Sequence, residues 1–308
     1  MKKLFSIGSC QSTMILKYLK NNENFSELYS ARIPPKQVYQ MGDTDIDDLH
    51  AALADVDVLL IQPVTDDYRS PVQVDRPAGA LSARTLIDKI KPGGQVIMTP
   101  VMFFNAYHPA YFRPGLRKPT DNHDVNLLGL YGRAAAAGPL SDADRGALVD
   151  AYIAKVEDPF IYSADELMMK VDQALESLRN KEQQARAQSY ARQVNFLAVS
   201  EFVSRNYDKK LLFRTCNHPT HAMYEYLVPQ VAELLGLDAA TFPDLAPHAE
   251  DTGIYYRALE QIVSFDVSQG NPRLHDAVTV PEIAHLYLSA YEADTARMIE
   301  LSKKYLSR

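Results

Sequence analysis

The sequence predicts an α/β fold in which an N-terminal part built on a parallel, Rossmann-like sheet is elaborated by a large, mainly helical C-terminal part. Three observations predict it. Short apolar runs alternate with segments of helical spacing through the first hundred or so residues, Gly or Pro marks the changeovers, and helical spacing dominates from residue 136 onward.

The first strand and helix are the clearest elements. Residues 4–7 (LFSI) read as a short buried strand, and Met14, Ile15, Tyr18 and Leu19 then recur at helical spacing. Strand therefore gives way to helix across Gly8-Ser9-Cys10-Gln11. Residues 38–41 read as a further short strand, 45–54 as a helix, and VDVLLIQPV as a buried strand ending near Gln62-Pro63. ALSARTLIDKI gives the next helix, Pro92-Gly93-Gly94 stops it, and QVIMTPVMFF supplies another strand. A sheet of this kind binds ligands at the carboxyl ends of its strands, here Gly8 to Gln11, Gln62 to Asp66 and Thr99 to Tyr107.

Residues 110–125 read as irregular. AAAAGPLSDADRGALVDAYIAKV reads as helices broken at Gly138-Pro139 with a cap at Ser141, and residues 163–206 as a long helix or helical pair opened by a Ser163/Glu166 capping box. KKLLFRTCNHPTH then gives a strand running into a turn, and AMYEYLVPQVAELLGL a helix ending at Gly236, with Pro229 as a candidate kink. The expected organisation is an α/β part over 1–135 and a helical part over 136–308, forming one compact unit with a shared cleft.

With 308 residues, 46% of them apolar and 23% charged, the chain can bury a large core. No stretch reaches the roughly 18–20 uninterrupted apolar residues that span a bilayer, and the N-terminus lacks a signal-peptide pattern, so a cytoplasmic protein is expected. Two cysteines 206 positions apart argue against a structural disulfide and leave two thiols that are either packed or reactive. A net charge of −7 and a pI near 5.6 argue against general nucleic-acid binding, which draws on many phosphate contacts. The charge is uneven: residues 170–214 carry +4 and the rest −11, while Arg113, Arg117 and Lys118 form a second basic group. Such groups are solvated faces or a cationic rim for phosphates.

The chemistry gathers at two junctions. A side chain on the turn from a buried strand into a helix stands at the sheet's carboxyl edge, beside backbone N–H groups and the positive end of the helix dipole. A thiol in that place, as at Cys10, is favoured as thiolate; the alternative is a small packing residue. Arg214-Thr215-Cys216-Asn217-His218-Pro219-Thr220-His221 is the second junction, with Pro219 suited to a first helical turn. His218 is the candidate general base, Asn217 and Gln11 are candidate oxyanion donors, and His221 is the alternative histidine or a helix cap. His-x-x-His without a second ligand cluster does not make a metal site, and no metal is expected.

These pieces resemble the SGNH hydrolase pattern in part: Gly8-Ser9-Cys10 stands where that family has Gly-Asp-Ser, and Asn217-His218-Pro219 where it has its terminal His-Pro block. The Asp three residues before the histidine and the Gly-x-Asn-Asp block are missing. IGSCQS, LLIQPVTDDYR, VIMTPVMFFNAYHPAYF and FRTCNHPTHAMYEYL together resemble the WcbI-type polysaccharide biosynthesis enzymes over nearly the whole chain. That resemblance implies a capsular-polysaccharide enzyme, cytoplasmic or peripheral at the inner membrane, that moves an acetyl group from acetyl-CoA to a sugar hydroxyl in association with capsule machinery. Cys10, His218, Asn217 and Gln11 would then be catalytic. Ser9, Ser12, Gln62, Tyr68, Arg69, Tyr107, His108 and His221 would line the coenzyme A site, with Arg113, Arg117 and Lys118 on its phosphates. A carbohydrate esterase or thioesterase would use the same groups with water as acceptor, and a non-catalytic scaffold is the alternative of a different class.

Overall fold

A computed structural model describes residues 1–112, 123–238, 254–267 and 279–306. From the N-terminus it runs β1 (Lys2–Ile7), α1 (Cys10–Leu19), α2 (Phe25–Leu28), β2 (Tyr29–Arg32), α3 (Asp43–Leu53), β3 (Val58–Ile61), α4 (Ala83–Lys89) and β4 (Gln95–Met98). Next come β5 (Tyr111–Phe112), β6 (His123–Asp124), α5 (Val125–Ala135), α6 (Asp142–Glu157), α7 (Ala164–Ala187), β7 (Asn195–Phe196) and α8 (Ser200–Asn206). The last elements are β8 (Phe213–Thr215), β9 (His218–Pro219), α9 (His221–Leu235), α10 (Val280–Glu292) and α11 (Thr295–Leu306).

Two compact units divide the chain. One comprises residues 1–103, 175–205 and 219–245; the other comprises 104–174, 206–218 and 246–308. The units interleave along the chain, where the sequence reads as a simple succession with one boundary after residue 135.

The first unit carries a five-stranded parallel sheet in the order β2-β1-β3-β4-β7. Every residue of β3 is buried, as expected for a strand of a parallel sheet whose faces are covered by crossover helices. Ile46, Leu49 and Leu53 of α3 and Leu86 and Ile87 of α4 pack with Ile7, Leu59, Ile61 and Val96 of the sheet. The chain leaves β1 for β2 on one side and resumes at β3 on the other, so β1 and β3 flank the switch point where a doubly wound sheet opens a crevice.

Four departures from the sequence reading have physical reasons. Residues 38–41 do not form a strand: Val38–Gln40 is a 3₁₀ turn closed by Gln37 N donating to Gln40 Oε1 at 3.1 Å. On its outer side β1 pairs in parallel with β2, an edge strand whose Ser30 and Arg32 are exposed and which therefore shows no apolar run. The expected strand from Gln95 to Phe104 stops at Met98, because Pro100 has no N–H to continue the ladder of an interior strand. The helical stretch over 163–206 is likewise interrupted by β7, which pairs Asn195 and Phe196 with Ile97 and Met98.

In the second unit α5, α6, α10 and α11 pack on one another. Gly132 of α5 lets α11 approach, since a Cβ there would overlap the Ser302 side chain. The antiparallel β5–β6 ribbon sets Tyr111 opposite Asp124, and Asp124 caps α5 by accepting from Asn126 N at 2.7 Å. Its carboxyl also accepts the hydroxyls of Tyr152 and Tyr256 at 2.8 and 2.7 Å. Burial pushes this acid up to about 6, against the opposing pull of those hydrogen bonds. No helix among the described residues is long and apolar enough to cross a membrane.

Candidate functional site

At the end of β1 the backbone comes so close to Gln62 that only glycine fits: a Cβ on Gly8 would lie 2.6 Å from Gln62 Oε1. Ser9 then caps α1, its hydroxyl accepting from Gln11 N at 3.3 Å, and Cys10 opens the helix. Cys10 is half-buried, and the first turn of α1 holds no acidic residue, so the positive helix end there is not neutralised from within its own turn.

Gln62, at the end of β3, ties the strand ends together. Its Oε1 accepts from Ser9 N and Ser9 Oγ, both at 2.8 Å, and its Nε2 donates to Gln11 Oε1 at 2.9 Å and to Pro100 O at 3.1 Å. Gln11 in turn binds Met102 twice, accepting from its N at 3.0 Å and donating to its O at 2.6 Å. Both glutamines are 2% exposed, which makes their amides architecture for the rim. Ser12 is buried beneath them with its hydroxyl on Ser9 O at 2.8 Å. Ser9, Cys10, Gln11, Ser12 and Gln62 thus come together at the switch point of the sheet.

The second junction is the tight connection from β8 to β9. Thr215 Oγ1 donates to Asn217 Oδ1 at 3.1 Å and lies 2.8 Å from His218 Nδ1. A hydroxyl has one proton, so with that proton on Asn217 the imidazole donates Nδ1–H to Thr215 and carries its basic lone pair on Nε2. Thr215 stands three residues before the histidine, the place where the SGNH pattern has its aspartate. Sequence reasoning missed this residue because it looked there for an acid; the Thr-x-x-His spacing was the available signal. Cys216 is 1% exposed and its carbonyl accepts Phe104 N at 2.7 Å, which places this thiol in the packing of the second unit.

The remaining expected residues divide. His221 belongs to the first unit, with Nδ1 3.0 Å from the Tyr18 hydroxyl and Nε2 3.2 Å from Glu225. Tyr107 is fully buried, and its hydroxyl donates to Tyr207 O at 2.6 Å, so it is a core residue of the second unit. Arg69 is exposed and its guanidinium donates to Val74 O, while Tyr68 packs partly buried on the apolar cluster of the first unit. Arg113, Arg117 and Lys118 lie outside the described residues.

His108 lines a cavity of about 40 Å³ in the second unit, with His123, Asp124, Thr215 and Tyr256. Burial pushes its imidazole down to about 4, so the ring is neutral near pH 7. Nδ1–H donates to Ile254 O at 3.3 Å, and Nε2 is a buried acceptor without a partner among the described residues. Chemically, the two junctions offer a thiol at a helix N-terminus in one unit and an oriented imidazole base in the other.

The family model of WcbI, a polysaccharide biosynthesis enzyme, matches residues 4–240. The chain belongs to the WcbI family. The matched stretch contains Cys10, Gln11, Gln62, Thr215, Asn217 and His218, so both junctions fall within it. Among solved structures the chain is similar to one described as WcbI, a novel polysaccharide biosynthesis enzyme, as the native protein without a disulfide bond between coenzyme A and one of its cysteines. The TM-score is 0.65 at 17% identity, over 98% of this chain and 97% of the other, a likeness of fold. Comparison with curated proteins finds no match.

Proposed function

We propose that this WcbI-family enzyme transfers an acetyl group from acetyl-CoA to a sugar hydroxyl during capsular polysaccharide biosynthesis, at the cytoplasmic side of the inner membrane. The observation that carries the reading is the orientation of His218: with Nδ1–H held by Thr215, Nε2 is the atom that can take a proton from a hydroxyl. The hydroxyl oxygen attacks the thioester carbonyl and its proton passes to His218. The carbon–sulfur bond then breaks, and that proton leaves with the coenzyme A thiol. Asn217 supports the developing oxyanion through its amide, and the positive helix end behind Cys10 favours negative charge at the donor.

Coenzyme A enters because the description of the WcbI structure of similar fold names coenzyme A beside one of its cysteines, as the native protein without a disulfide between the two, and Cys10 is the half-exposed cysteine of this chain, Cys216 the buried one. A thiol at the carboxyl edge of a parallel sheet suits a thioester ligand. Thermal-shift titration with coenzyme A and acetyl-CoA tests this first. A ligand held by the native state alone adds about 2.7 kcal/mol at a hundred times its Kd, and no shift at millimolar ligand would reject the reading. Release of coenzyme A followed with and without nucleotide-linked sugar then separates transfer from hydrolysis. Transfer requires the sugar; equal release without it identifies a thioesterase.

A further inference from the structure

The carboxyl edge of the same sheet carries a second feature, two to three strands along from the Cys10 turn. A cavity with room for one water-sized group, about 10 Å³, lies among Thr99 after β4, Phe196 of β7 and the C-terminal half of α7. Two cations of α7, Lys181 and Arg186, line it. Each rests on an aromatic ring, Lys181 Nζ 5.1 Å from the centre of Phe103 and Arg186 5.9 Å from that of Phe196, and neither forms an ion pair with an acid among the described residues. Glu182, the acid between them, is engaged elsewhere, accepting from Val199 N at 2.7 Å, Ser200 N at 2.9 Å and Ser200 Oγ at 2.5 Å. Thr99 is fully buried and its Oγ1 has no hydrogen-bond partner among the described residues.

Glu182 also lines the cavity with its carboxylate held by Val199 and Ser200, and a buried hydroxyl without a partner beside two cations that pair with no acid among the described residues is a donor set for an oxyanion. We infer that Thr99, Lys181 and Arg186 form a phosphate-binding site, one oxygen entering the cavity toward Thr99 and the others facing the two side chains. Partial burial already pushes the Lys181 ammonium down from its ordinary range, and a bound anion would offset that cost. Strands stand about 4.8 Å apart, so β4 lies ~10 Å from β1, far enough for this site to hold a remote group of a ligand rather than its reacting end. The source of the phosphate rests on the proposed function: the nucleotide end of coenzyme A, or the diphosphate of an activated sugar.

Binding of coenzyme A, acetyl-pantetheine, inorganic pyrophosphate and UDP to the full chain, measured by calorimetry, tests the site. The double variant K181Q/R186Q is expected to weaken whichever phosphate ligand occupies it by about tenfold and to flatten its salt dependence, leaving acetyl-pantetheine unchanged. Thr99→Val should weaken the same ligand alone. Loss confined to coenzyme A identifies the donor as the source; loss confined to UDP identifies the acceptor. Pyrophosphate binding that depends on Lys181 and Arg186, in a protein that does not bind coenzyme A, would keep the site and remove the coenzyme reading. Unchanged affinity for all three phosphate ligands in a folded K181Q/R186Q protein would overturn the site.

Discussion

Thr215 Oγ1 lies 2.8 Å from His218 Nδ1, three residues upstream on the same tight turn. A neutral hydroxyl here does the orienting that an aspartate does in Asp-x-x-His hydrolases, without adding a negative charge that would raise the basicity of the ring.

Thr215→Val keeps the shape and removes the hydroxyl, so the imidazole loses the group that selects its tautomer. Acetyl transfer should fall about ten- to a hundredfold in kcat, with Thr215→Ser restoring most of it. The pH–rate profile separates orientation from folding: Ser should return the native profile, and a Val variant with native kcat would remove Thr215 from the mechanism.

Cys10→Ser distinguishes a wall from a carrier. Direct attack by the sugar hydroxyl predicts near-normal turnover in the serine variant and an intact protein mass after incubation with acetyl-CoA alone. An acetyl adduct on native Cys10, chemically competent when sugar is added, would instead make the thiol a covalent carrier.

Gln62 carries four hydrogen bonds while 2% exposed. Gln62→Leu leaves the Ser9 and Pro100 backbone groups without a partner and should cost about 2–4 kcal/mol in urea unfolding. Gln62→Glu keeps an acceptor for Ser9 but loses both donations and buries an acid, so it should be no less damaging. A loss under about 1 kcal/mol in both would mean the rim is held by something else.

His108 and Asp124 give opposite pH dependences. Burial holds His108 at about 4 against an ordinary 6.5, so its contribution to stability is complete above 6.5 and is lost as pH falls toward 4. Asp124 stands at about 6 against an ordinary 3.8, so its contribution is complete below 3.8 and is lost as pH rises through 6. Between pH 4 and 6 the two slopes oppose each other. Relative to the parent, His108→Asn should lose less stability on acidification from pH 6.5 to 4, by up to about 3 kcal/mol, and Asp124→Asn should lose more. Urea unfolding across that range reads both; parallel curves for all three proteins would show that neither group titrates as described.

The buried strands β1, β3 and β4 are legible in the sequence because a strand covered on both faces is dominated by apolar residues, with Ser6 the buried polar exception in β1. Edge strands are not: β2 exposes Ser30 and Arg32, and β7 is two residues long. The caps at Ser141 and Ser163 are legible because capping is local chemistry, whereas the interleaving of the units depends on contacts remote in sequence. At the site, the placing of Cys10 follows from strand, turn and helix in ten residues. The Gln11–Gln62 pair spans 51 positions, and nothing in either neighbourhood announces the other. Tyr107, expected at the rim, turns inward because its hydroxyl finds the Tyr207 carbonyl and its ring finds Phe104 at 5.0 Å.

The paired glutamines also bear on how such a protein can diverge. Beyond Met98 the backbone leaves the ladder, and Pro100 and Met102 are anchored by side-chain amides in place of strand partners. The contour of that segment is therefore encoded separately from the sheet beneath it. Relatives could reshape what the rim accepts by exchanging two side chains together with residues 99–103, while the strands that carry them stay as they are.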